Sequence, residues 1–425
     1  MPSRWIRFVI IVLMMVPAGT VQALDSGSGL PGGNAGQGIP AGNFVIYPTL
    51  ELIYQYEDNL FLTPSYVRRV KSASYAVRPK IMVEMPFLTS YFRVGYAGEY
   101  REYDEYAMRD NWTHTAIADL RLILSSGMTV TAQDRYMRTT LYTEAFDKNR
   151  EVVWGRQPFV SNTMVLQVRQ RVKRQLAVVG GGAFTTVRFD EPATASEPIA
   201  FFDYTTRRAY LGMDLEISPL TKFEISASRT WVEQDRSAQG LDEERKSTAE
   251  AIQASLGEGL TPTLSGKISV GYRRSHYDQF QTAGQASAGQ GQYRGLVYGL
   301  QLNNRFSPKT TAVANFSRAE NQSSFLGSNY YVSATGMLTV TQNLSQVTFW
   351  SLGISYQQNS YPALSTEFPG ERRDDDTSGV KVGVGMYFLE RGSARFNYTY
   401  QDRDSSIGAY SYVSNRYTVQ VQVGW

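Results

Sequence analysis

The chain has 425 residues, with 42 Lys and Arg against 39 Asp and Glu, two histidines and no cysteine. The missing cysteine excludes disulfides, thiolate metal sites, iron–sulfur clusters, cysteine catalysis and a lipobox lipid anchor. A net charge of +3 gives no electrostatic footprint for nucleic acid. A mean hydropathy of −0.32, with no apolar run of about 20 residues, excludes a bundle of membrane-spanning helices.

Arg4 and Arg7 precede the apolar run Phe8 to Val16. Pro17-Ala18-Gly19 breaks that run, and Val21-Gln22-Ala23 offers compact residues ahead of a cleavage point. Residues 1–23 therefore read as a cleaved secretory signal peptide, which sends the mature chain to the periplasm, the outer membrane or the exterior. Residues 24–43 are Gly-rich, lack apolar periodicity and read as a flexible N-terminal segment. No Gly-Lys-Ser/Thr follows them, so a phosphate-binding loop is excluded.

From Phe44 to the end, apolar and polar residues alternate with a period of two, the signature of strands with one apolar face. Phe92, Val94 and Tyr96 alternate with Arg93, Gly95 and Ala97. Leu211, Met213, Leu215 and Ile217 alternate with Gly212, Asp214 and Glu216. Eight short turns, near Pro86-Phe87 first and Glu390-Gly392 last, interleave with nine longer polar stretches, so the expectation is about 18 strands. No helical segment covers the apolar faces, and lipid is the cover that remains. A closed barrel leaves no unpaired edge in hydrocarbon, and short turns alternating with long loops are the asymmetry of outer-membrane barrels. The fold class expected is all-β: a transmembrane antiparallel up-and-down β-barrel over residues 44–425, with short periplasmic turns and long extracellular loops. Tyr54, Tyr56, Tyr96, Tyr100, Tyr272, Tyr398 and Tyr400 fall toward strand ends, where an amphipathic ring suits the headgroup level.

The last strand presents Tyr417, Val419, Val421, Val423 and Trp425 on one face and Thr418, Gln420, Gln422 and Gly424 on the other. An alternating final strand that ends in an aromatic resembles the signal read by the outer-membrane barrel insertion machinery. These five residues are the candidate assembly signal.

The faces opposite the apolar ones should line an interior. They carry Arg78, Lys80, Arg93, Arg101, Arg121 and Arg208 in the first half of the chain. Lys267, Arg273, Arg305, Lys381, Arg395 and Arg416 follow in the second half, with Arg169 also on the polar side. Glu51, Glu84, Glu99, Asp119, Asp214, Glu216 and Glu224 are expected on the same side. An Arg or Lys facing lipid at mid-depth would cost about 2–4 kcal/mol, which favours the inward placement. Such charges either brace neighbouring strands as ion pairs or leave a cation-rich channel that favours anionic solutes. His114 and His276 lack metal-ligand spacing, and no Gly-x-Ser-x-Gly occurs, so the chain does not read as an enzyme. No catalytic, metal or cofactor residue is assigned. The acidic clusters Glu243-Glu244 and Asp374-Asp375-Asp376 read as solvated loops, with a divalent-ion or lipopolysaccharide contact at residues 371–376 as the lesser alternative.

The barrel opens with Tyr47-Pro-Thr-Leu-Glu-Leu-Ile-Tyr-Gln-Tyr-Glu-Asp-Asn-Leu-Phe61. Pro48 leads into a first strand that ends at Asp58-Asn59-Leu60-Phe61. This resembles the start of the outer-membrane β-barrel porins encoded with bacterial exopolysaccharide synthesis and export clusters, the porin type 2-like family. The resemblance implies an 18-stranded porin-like barrel in the outer membrane of a Gram-negative bacterium, in contact with lipid and lipopolysaccharide. It also implies a conduit for secreted polysaccharide that works with periplasmic polysaccharide-export and co-polymerase proteins. A general or anion-preferring diffusion porin and a structural or adhesive barrel remain open.

Overall fold

The computed structural model describes residues 38–106, 110–124, 127–141, 157–190, 203–235, 245–278, 281–282, 285–286, 291–323, 328–364, 371–388 and 391–425. The signal-peptide segment, most of the Gly-rich segment and Glu243-Glu244 lie outside the described residues.

Eighteen long strands make the wall. In chain order they are β1 (Phe44–Glu57), β2 (Ser72–Phe87), β3 (Ser90–Tyr103), β4 (Asn111–Ile123), β5 (Met128–Leu141) and β6 (Gln157–Lys173). There follow β7 (Leu176–Phe189), β8 (Asp203–Ser218), β9 (Thr221–Asp235), β10 (Arg245–Gly259), β11 (Leu264–Tyr277) and β12 (Gln292–Ser307). The last six are β13 (Thr310–Gln322), β14 (Tyr330–Asn343), β15 (Thr348–Leu364), β16 (Arg372–Phe388), β17 (Gly392–Ser405) and β18 (Tyr412–Gly424). Each pairs antiparallel with its chain neighbours, and β18 returns to pair with β1, closing the sheet on itself. Short connections of two to four residues alternate with longer ones of six to fifteen, in the order the sequence predicts. The fold is a closed, all-β, up-and-down barrel.

The seam has nine pairs, from Thr49–Gly424 to Glu57–Arg416, as few as the β12–β13 ladder and fewer than the other ladders of the closed sheet. Beyond it, Trp425 N–H donates to the Pro48 carbonyl at 3.1 Å. The end of the Gly-rich segment joins the wall: Ile39–Ala41 turns at Gly42 (φ 65°) and pairs with Phe44–Ile46.

One face of the wall is apolar and open to its surroundings. On β8 Leu211, Met213, Leu215 and Ile217 are all exposed, and on β11 Ile268, Val270 and Tyr272. The apolar stretch Leu264–Tyr272 covers nine residues before Arg274 ends it, which matches the roughly 9–11 residues a tilted strand needs to cross hydrocarbon. Strands of 13 to 17 residues therefore run past the apolar band. Near its upper edge the outer face turns aromatic. Tyr54 meets Tyr75, Tyr398 meets Tyr417 and Tyr100 meets Trp112, at centroid separations of 4.9–5.2 Å.

Candidate channel interior and seam

The opposite face is polar, and its side chains reach one another across intervening strands. Arg169 on β6 bonds Asp214 on β8 at 3.1 Å, passing over β7. Lys267 on β11 meets Glu224 on β9, passing over β10, where Ser255 also donates to Glu224 at 2.9 Å. Side chains converge in this way on the concave side of a curved sheet, so the polar face is the inner one. Small residues make the room. Gly385 on β16 lies between Phe349 on β15 and Arg395 on β17, and a Cβ there would stand 2.3 Å from the Phe349 ring. The empty space lets Arg395 sit 5.0 Å from the ring centroid.

Of the thirteen basic residues expected on this face, seven are braced, Arg169 on Asp214 among them. Arg78 joins Glu51 at 2.7 Å and also Glu99, linking β1, β2 and β3. Arg101 holds the other oxygen of Glu99 at 3.0 Å. Arg93 pairs with Asp119 at 3.0 Å, Lys267 with Glu224, Arg273 with Glu320 at 2.6 Å, and Arg416 with Glu57 across the seam. The other six, Lys80, Arg121, Arg208, Arg305, Lys381 and Arg395, have no carboxylate partner among the described residues. Strand alternation puts them on the same side as the braced set. Arg121, Arg305 and Arg395 stand within a few residues of short turns.

Asp58-Asn59-Leu60-Phe61 has a definite task. Asp58 accepts the Asn415 backbone N–H and the Asn415 amide, each at 2.7 Å. The Asn59 amide donates to the carbonyls of Val413 and Thr63, each at 2.9 Å, and its oxygen accepts the Thr63 N–H at 2.9 Å. Asn59 is fully buried. Leu60 is buried beside it, and Leu62, two residues on, packs on Tyr412. The motif thus clamps the top of the first strand to the top of the last, where the barrel closes.

The acidic run is a correction. Asp374-Asp375-Asp376 is not a solvated loop: it belongs to β16. Asp375 is fully buried, bonded by Arg403 of β17 and by Arg373 at 2.9 Å. Arg373 lies between the rings of Tyr361 and Tyr410, at 4.7 and 3.9 Å. Sequence reading missed this because charges sit on both faces beyond the lipid band, where the apolar–polar contrast is gone. The surviving signal is parity: Arg373 and Asp375 fall in step with inward Lys381.

His114 stacks on Trp112 and shares a 2.7 Å hydrogen bond with the Tyr96 hydroxyl on the outer face. His276 lies exposed near the top of β11.

Residues 32–424 match the model of the family described as Putative beta-barrel porin 2, and the chain belongs to that family. No curated protein matches it. Among solved structures it is similar to OpdK of Pseudomonas aeruginosa, solved with vanillate. The identity is 12%, 89% of this chain and 99% of that one are covered, and the TM-score is 0.46. It is also similar to the siderophore receptor PirA of Pseudomonas aeruginosa (9%, 89% and 80%, TM-score 0.45). A third is the alcaligin outer-membrane receptor FauA of Bordetella pertussis (11%, 88% and 76%, TM-score 0.42). The protein is an outer-membrane β-barrel of the porin class, and family and fold point to the Gram-negative outer membrane.

Proposed function

We propose that this barrel is a conduit through which exopolysaccharide leaves the cell across the outer membrane. The observation that supports it most is the closure of 18 strands around a polar inner face, since barrels of about 16–18 strands leave an aqueous channel where about eight fill with side chains. The opening residues Tyr47 to Phe61 resemble the start of porins encoded with exopolysaccharide clusters. In this reading the thirteen inner cations and their carboxylates line the passage. Braced pairs stiffen the wall, and the six cations without an acidic partner face the solute. Many weak contacts to sugar hydroxyls permit both entry and release, where one tight site would block transit. Periplasmic export and co-polymerase proteins would deliver the chain at the short-turn end. The five alternating residues ending at Trp425 would be read by the insertion machinery, after removal of residues 1–23.

The six cations without an acidic partner also favour a second reading, an anion-preferring diffusion porin for small solutes. Deletion of the gene separates the two. Loss of surface polysaccharide with normal small-anion uptake supports the conduit; unchanged polysaccharide removes it.

A further inference from the structure

The β12–β13 ladder stops at Tyr298–Arg318, although β12 runs to Gln292 and β13 to Gln322. Above that point Glu320 turns across the parted strands to β11. There Arg273 Nε bonds its carboxylate at 2.6 Å, Ser275 Oγ donates at 2.9 Å and the Tyr277 hydroxyl also donates. Below the parting the wall holds a recess of about 210 Å³, whose lining includes Arg208, Gln253, Ser269, Arg273, Arg318 and Glu320. Ser228, Ala251 and Ser269 are short, which leaves the space.

The charges in this recess do not balance. Three guanidiniums and one carboxylate line it, Arg318 reaching in at the parting from a position of outward parity, and that carboxylate already accepts three donors. Among the described residues Arg208 has no ion pair, and its buried Nε has no hydrogen-bond partner. Arg208 and Arg273 line the same recess with like charge. Arg318 gives one nitrogen to the Leu296 carbonyl at 2.6 Å and has no acidic partner among the described residues. Like charges held together in a partly desolvated recess are unfavourable, and guanidinium forks match planar or tetrahedral oxyanions.

We propose that the recess is an oxyanion-binding station, taking the carboxylate or phosphate of an acidic sugar residue. The inference rests on the conduit reading and specifies its substrate class. Arg208 and Arg318 grip the anion, and Gln253 and Ser269 supply partners for the sugar hydroxyls. The volume is below the roughly 300–1,000 Å³ of pockets for drug-sized ligands, in keeping with one sugar residue at a time.

The test uses single-channel recording of the full-length protein in planar bilayers, with tri-galacturonate, glucose 6-phosphate and neutral maltotriose as probes. The wild type should be half-blocked by one of the acidic sugars at a concentration at least about tenfold below that for maltotriose. Whether the carboxylate or the phosphate probe blocks at the lower concentration identifies the anion. Arg208→Gln and Arg318→Gln should each remove that advantage and leave maltotriose block unchanged. Folding of the variants is checked by their heat-modifiable mobility in gels. Equal block by acidic and neutral sugars, or acidic block unchanged in both variants, overturns the station and leaves the conduit standing. A channel that passes salt but is blocked by none of the three overturns both.

Discussion

Asn59 and Asp375 are two polar side chains with almost no exposure, and each holds the barrel at a place where strand alternation gives no help. Asn59→Ala removes the amide bonds to Val413 and Thr63 and leaves two carbonyls buried without them. A cost of about 1–3 kcal/mol is expected. It should appear as a lower temperature for conversion of the folded gel band to the unfolded one. Asp375→Asn leaves Arg373 and Arg403 facing a neutral amide, and an uncompensated buried charge costs about 3–5 kcal/mol. Asp374→Asn, at an exposed neighbour, should change little. Equal tolerance of the two would return the segment to a solvated loop. The Asp58-Asn59 turn was legible from turn chemistry. Its bond to the last strand was not, because Asp58 and Asn415 lie 357 positions apart and nothing local links them.

At the scale of a strand, the period of two carries the argument. Residues of opposite parity on β12 face opposite media: Leu300 stands opposite outward Ile268, at the middle of the apolar band, and Asn303 opposite inward Ser265. Leu300→Arg should cost about 2–4 kcal/mol, while Asn303→Arg, into water, should be nearly neutral. The check is urea-driven unfolding in lipid vesicles; equal costs would deny the assignment of faces. Alternation such as Leu211 to Ile217 made strand number, order and face readable, because lipid on one side and water on the other impose opposite demands. Where β13 and β14 rise beyond the lipid band that contrast vanishes. Glu320 accordingly turns inward, toward β11, against the parity of its own strand, which no pattern in the sequence announces.

For the whole molecule, closure is the decisive event, and it rests on a seam of nine pairs. Arg416–Glu57, Asp58–Asn415 and Trp425–Pro48 secure it at both ends. Trp425→Ala is expected to reduce the folded fraction recovered in outer membranes without changing the channel properties of molecules that do fold. Quantitative blotting of membrane fractions measures the first, and bilayer recording the second. The barrel is proposed to be a closed wall, greasy outside, around a polar passage with uncompensated positive charge. The most direct test is the current through purified full-length protein in a planar bilayer under a salt gradient. Stepwise conductance with a reversal potential on the anion-selective side is predicted; folded protein that inserts and passes no current would contradict it.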